Sequence, residues 1–120
     1  MLKAMSKQTL KRTSKTDNRR NARIFAALGD ETRLQLLLKL GTGPPQSIKQ
    51  LTMNLPVTRQ AVTKHLRVLE SAKFVTQEKH GRERRFVARL AAIEEAQKAL
   101  SIIAAQWEDA LVRLKRFVEE

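Results

Sequence analysis

The stretch Ser47–Phe74, SIKQLTMNLPVTRQAVTKHLRVLESAKF, restricts the fold more than any other part of this 120-residue chain. It holds two short helical patterns with a turn between them. Ser47 followed three residues later by Gln50 is a capping-box signal, because hydroxyl and amide can each satisfy a free backbone N–H. Ile48, Leu51 and Leu55 recur at helical spacing, and Pro56 ends the segment. Thr58 can cap a second helix from its own hydroxyl.

On a helical wheel that second helix divides cleanly. Arg59, Gln60, Thr63, Lys64 and Arg67 fall within one arc of roughly 140°. Ala61, Val62, His65, Leu66, Val68 and Leu69 fill much of the other side. Such a helix packs on one face and offers Arg, Gln, Thr and Lys on the other, the side chains that bond to guanine, adenine and phosphate in the major groove. The plain alternative is a solvated amphipathic helix. A solvated face usually mixes charge signs, however, and here no acid appears before Glu70.

Charge points the same way. The net charge is +12, and it is unevenly placed: residues 1–90 carry 20 basic and six acidic side chains, residues 91–120 four and six. The first part suits a polyanion, and the last segment has another task. Without cysteine, disulfides and thiolate metal sites are excluded. No apolar run approaches membrane-spanning length and no secretory apolar core is present, so the expected location is cytoplasmic, with no membrane partner.

Residues 1–16 form a basic tail with Lys3, Lys7, Lys11, Arg12 and Lys15 and no acid. Its composition fits a solvated, disordered extension, an arm on phosphate or the minor groove, or a transit peptide. From residue 17 to residue 120 the chain reads as one domain. A helix should start near Asp17 and run through Ile24, Phe25 and Leu28 to Gly29. Asp30 caps the next, with Glu31 in its first turn, Leu34, Leu37 and Leu38 as its buried stripe, and Gly41 closing it before a loop over 42–46.

After Phe74, the segments Phe74–Lys79 and Arg84–Leu90 read as two strands around His80-Gly81-Arg82. Phe86, Ala88 and Leu90 alternate with Arg85, Val87 and Arg89, so one face can pack on the helices. Arg82, Arg84 and Arg85 crowd the tip. A purely structural hairpin has no need of that cluster, whereas a wing lying along DNA backbone would use it.

Residues 91–120 form a long helix of regular period. Ile93, Leu100, Trp107 and Leu114 recur every seven residues, and Ala96, Ile103, Ala110 and Phe117 follow each by three. That is a coiled-coil seam. A 30-residue helix is about 45 Å long, more than a small domain can cover, so pairing with a second copy is expected.

The order of elements resembles that of the ArsR-type winged-helix repressors. Ala27–Leu40, ALGDETRLQLLLKL, is similar to that family's second-helix signature. Val57–Val75, VTRQAVTKHLRVLESAKFV, resembles its recognition segment, and His80–Phe86, HGRERRF, looks like its wing. The resemblance covers roughly residues 18–118. It implies a mainly α fold with a small β-hairpin, a winged helix-turn-helix with a long C-terminal dimerisation helix. It also implies a homodimeric repressor on double-stranded DNA. Where the family usually has glycine this chain has Lys73, so the turn after the recognition helix should be strained or reshaped. The family's metal sensors use cysteine pairs or carboxylate–histidine sets. This chain has only His65 and His80, so no metal or other cofactor is expected.

The expected function is therefore a homodimeric transcription regulator at an inverted repeat. Recognition helix 58–71 would use Thr58, Arg59, Gln60, Thr63, Lys64 and Arg67, and wing 75–90 would use Arg82, Arg84 and Arg85. Ile24, Phe25, Ile93, Leu100, Ile103, Trp107 and Leu114 would form the dimer contact. The sequence names no small-molecule or protein effector. A small RNA- or ribosome-binding protein is the runner-up, but single-strand readers present stacking aromatics. This chain has no Tyr, and its four Phe sit in apolar patterns. An enzyme has least support, with no cysteine nucleophile, no glycine-rich phosphate loop and no histidine beside paired carboxylates.

Overall fold

Capping decides where most helices begin. The structure, a computed structural model, describes residues 15–119. It contains α1 (Lys15–Leu28), α2 (Glu31–Thr42), α3 (Ile48–Met53), α4 (Arg59–Ser71), β1 (Val75–His80), β2 (Glu83–Ala88) and α5 (Leu90–Glu119). Asp30 accepts from the Arg33 N–H at 3.0 Å, and Thr58 from the Ala61 N–H at 3.1 Å. Ser47 and Gln50 form the reciprocal capping box. The basic tail lies outside the described residues as far as residue 14; residues 15 and 16 open α1.

The core lies where α1, α2, α4 and the base of the hairpin meet. Leu36, Leu51, Val62, Leu66, Leu69, Phe74 and Val75 are its fully buried side chains. The expected stripe of α2 is corrected in two places. Leu37 is buried, but its inward partners are Leu36 and Leu40, while Leu34 and Leu38 are 44% and 66% exposed. The helix carries two leucine ridges, and only one faces the core. The helix also runs past Gly41 to Thr42, whose hydroxyl donates to the Leu38 carbonyl at 2.8 Å. Val68, expected on the packed side of α4, is 40% exposed.

The hairpin turns at Gly81-Arg82, with Gly81 at φ 65°. Positive φ at the first of two central residues matches a type II′ turn. Leu90 is not in the second strand: β2 ends at Ala88, and Leu90 opens α5 as an exposed residue. A bridge the sequence did not suggest anchors the hairpin. Gln46, before the capping box, pairs with Phe86 through N–H···O bonds of 3.2 and 2.7 Å.

α4 ends in a Schellman motif. The Phe74 N–H bonds to the Leu69 carbonyl at 2.9 Å, the Lys73 N–H to the Glu70 carbonyl at 3.0 Å, and both Leu69 and Phe74 are fully buried. Lys73 sits in the left-handed region at φ 66°, so the turn keeps the glycine geometry and places a side chain in it. Left-handed backbone costs a non-glycine residue roughly 1–2 kcal/mol, partly offset by glycine's greater unfolded-state entropy. Lys73→Gly should therefore stabilise the domain by about 0.5–1 kcal/mol, read from urea midpoints at constant slope. A destabilised variant would mean the turn is not strained.

α5 is packed at one end only. Ala92, Ala96 and Ala99 are buried, and Arg20 of α1 pairs with Glu95. Beyond Ala99 the helix leaves the body, giving a molecule 66 Å long and about 27 by 25 Å across. No described helix is long and apolar enough to cross a membrane.

Candidate nucleic-acid interface

Burial of Val62, Leu66 and Leu69 fixes which way α4 faces. With that side locked in the core, Arg59, Gln60, Lys64 and Arg67 are exposed and Thr63 is half-exposed. Gln60, Thr63, Lys64 and Arg67, four of the five residues the wheel put on one arc, line one shallow depression, and Arg59 lies outside it. Thr58 is also exposed, at the helix start, where its oxygen is engaged as the cap. Thr63 donates its hydroxyl to the Arg59 carbonyl at 2.9 Å. None of the cations on this face is in an ion pair among the described residues. The one acid of α4, Glu70, accepts from the Gln77 amide at 2.9 Å and so ties the helix end to β1.

A network at the helix junction holds α4 in place. Arg33 donates to the carbonyls of Ala27 and Ala26 at 2.7 and 3.1 Å, closing the C-terminus of α1. Its guanidinium also lies 3.2 Å from His65 Nδ1, a hydrogen bond when that nitrogen is unprotonated. His65 is thus a helix-contact residue. The Arg33 backbone N–H holds the Asp30 carboxyl below its usual pKa. That contribution to stability is present above the ordinary carboxylate value and fades as pH falls through the lowered one.

The wing cations separate by strand register. Lys79 pairs with Arg84, and Gln77 with Phe86, so Lys79 and Arg84 share the face that packs on the helices. Glu78, His80, Glu83 and Arg85 share the other. There Arg85 donates to Glu83 at 2.8 Å, and His80 lies 3.2 Å from Glu78. Arg82 sits exposed at the turn. Arg82 and Arg84 therefore stay available, Arg85 is partly neutralised, and Lys79 joins them. Sequence reasoning missed Lys79, although fixing the turn at Gly81-Arg82 would have paired it with Arg84. Among the described residues, no group of three or more His, Asp or Glu side chains could hold a metal ion.

The expected dimer residues divide between body and free helix. Ile24, 6% exposed, is spent on the chain's own core; Phe25 and Ile93 pack partly against it. Leu100, Ile103, Trp107 and Leu114 lie bare on the free half of α5, with Trp107 68% exposed.

Known proteins share this arrangement. Residues 28–78 match the family model described as a helix-turn-helix domain. The chain is 42% identical over 67 residues to the uncharacterized HTH-type transcriptional regulator YuzN of Bacillus subtilis, spanning 51% of this chain and 73% of that protein. Among solved structures, an ArsR-like transcriptional regulator from Rhodococcus sp. RHA1 superimposes with a TM-score of 0.76 at 38% identity, over 85% of this chain and 95% of that one. The homodimeric winged helix-turn-helix domain of Mycobacterium bovis Mb0332 shares the fold at 18% identity, with a TM-score of 0.60 over 83% of this chain and 89% of that one. With its capped recognition helix, its anchored hairpin and these relatives, the chain belongs to the ArsR-type family of helix-turn-helix transcriptional regulators.

Proposed function

We propose that the protein is a homodimeric repressor in the cytoplasm that occupies an inverted-repeat operator, inserting α4 into the major groove and laying the hairpin along the backbone. Residues 17–120 form the DNA-binding unit, and 91–120 supply its dimer contact. The observation that carries this reading is the locked orientation of α4. Its buried face leaves Arg59, Gln60, Lys64 and Arg67 outward and unpaired, beside a wing bearing Lys79, Arg82 and Arg84. Homodimerism is supported by the bare apolar half of α5 and by the homodimeric state of the Mycobacterium bovis domain.

Base-reading and backbone-holding residues should fail differently. Arg59→Ala or Gln60→Ala should relax sequence preference and cost about 1–3 kcal/mol where the lost contact is bidentate. Arg84→Ala should weaken all sequences alike and lower the salt slope of binding by about one. Arg85→Ala should change the slope less, because Glu83 already engages it. Equilibrium titrations of matched and mismatched duplexes over a range of salt separate these cases. Equal loss of specificity from both kinds of change would contradict the assignment.

A further inference from the structure

An open apolar groove lies where α5 meets α2. It holds about 320 Å³ and is lined by Leu28, Leu34, Leu37, Leu38, Ile93 and Ala96 among others. Its rim is the leucine ridge of α2 that the core does not use. Ile93 and Ala96 are also the first two positions of the heptad stripe. The stripe continues along α5 through Leu100 and Ile103 to Trp107, Leu114 and Phe117. Groove and bare helix are therefore one continuous apolar surface.

That surface is too wide for a two-stranded seam. Leu111 and Val118, each four residues after a seam position, are 59% and 75% exposed and extend the apolar face beyond the two seam positions. A face of that width packs against a body as well as a helix.

Register selects what covers it. Pairing two copies of α5 antiparallel, seam position against seam position, sets Ile103 against the partner's Trp107, Leu100 against the partner's Ala110, and Ala96 against the partner's Leu114. Ile93 then meets the partner's Phe117. The partner's helix end thus arrives over the groove. This pairing keeps the seam apolar throughout, with Glu94 and Arg116 on the outer side of the helices. It also puts equivalent Ile93 residues 24 residues apart along the pair, about 36 Å. That spacing holds two very basic bodies well beyond a screening length and is close to one turn of DNA. A parallel pair would crowd the two bodies at one end and leave both grooves open.

We propose that the C-terminal end of α5 of one copy, with Leu114 and Phe117, docks into the Leu34/Leu38 groove of a second copy, so that each body is completed by the other's helix. This rests on the dimer reading above, which it specifies. The cysteine-free chain makes a direct test available. Leu38→Cys and Phe117→Cys proteins, each checked for dimerisation by sedimentation, are refolded together and treated with a short bismaleimide. Leu34→Cys with Leu114→Cys serves as a second pair in case one substitution perturbs folding. The expected result is a covalent dimer from the mixture and none from either variant alone. Within one chain Phe117 lies about 31 Å along the helix from Ala96, too far to reach its own groove. Self-linking of the Phe117→Cys protein would indicate parallel ends and overturn the proposal. Dimers that form no link in either pair would overturn groove docking while leaving the dimer intact. Monomers throughout, the parent included, would overturn both.

Discussion

Trp107→Glu should convert the protein into a folded monomer that has lost most of its operator affinity. Trp107 is 68% exposed in the single chain, so the substitution leaves the body's own packing untouched. In the pair it places a charge against apolar side chains, where an unpaired carboxylate is disfavoured. A large apolar side chain is worth roughly 1.5–3 kcal/mol on burial, and a two-fold interface uses the position twice. The dimer should lose about 3–6 kcal/mol, roughly two to four powers of ten in its dissociation constant. Operator affinity falls with it, because one half-site contributes only part of the binding energy. Sedimentation reads the oligomeric state, and circular dichroism should report an unchanged helix-turn-helix body. A variant that stays dimeric, or that binds the full operator as tightly as the parent while monomeric, would show that the seam is misassigned.

Phe74→Ala should produce the largest loss of fold stability, about 3–5 kcal/mol by the usual cost of emptying a buried aromatic site. The ring is fully buried at the point where α4 turns into β1, and it lines the floor of the groove with Leu37, Ile93 and Ala96. Its backbone closes both neighbours: the N–H bonds to Leu69, and the carbonyl accepts from the Arg89 N–H at 2.8 Å. Against a typical total of about 5–15 kcal/mol, that loss is severe. Leu38→Ala, on the unused ridge, should change the stability of the monomeric Trp107→Glu background by no more than about 0.5 kcal/mol. Urea unfolding of both changes in that background separates core from ridge. Similar losses from the two would place Leu38 in the core.

Local chemistry was legible in the sequence where it acts locally. Asp30, Ser47 and Thr58 cap the helices expected of them, because each cap needs only its own side chain and the next turn. The amphipathic split of α4, Val68 apart, was legible for the same reason, and the fold class through the order of elements and the family resemblance. α2 was not, because Leu34, Leu36, Leu37, Leu38 and Leu40 cover more than one face and periodicity alone cannot say which turns inward. The Gln46–Phe86 bridge and the Arg33–His65 contact join residues distant in sequence. Neither leaves a spacing signal. Alternation along the second strand gives the face of Arg84 and Arg85, but not the Arg85–Glu83 contact or the cross-strand partner of Arg84. Lys73 lies between these cases: the resemblance flagged it, and the left-handed backbone gives the reason.

On the proposed function, the exposed face of α4 reads an inverted repeat as half of a dimer. Selection of bound duplexes from a random pool, at near-physiological salt and with single-stranded RNA present as competitor, tests it most directly. The expected outcome is a palindromic motif whose half-sites lie about one helical turn or more apart, with two chains bound per duplex. Enrichment of the RNA, or of duplexes without a palindrome, would contradict it.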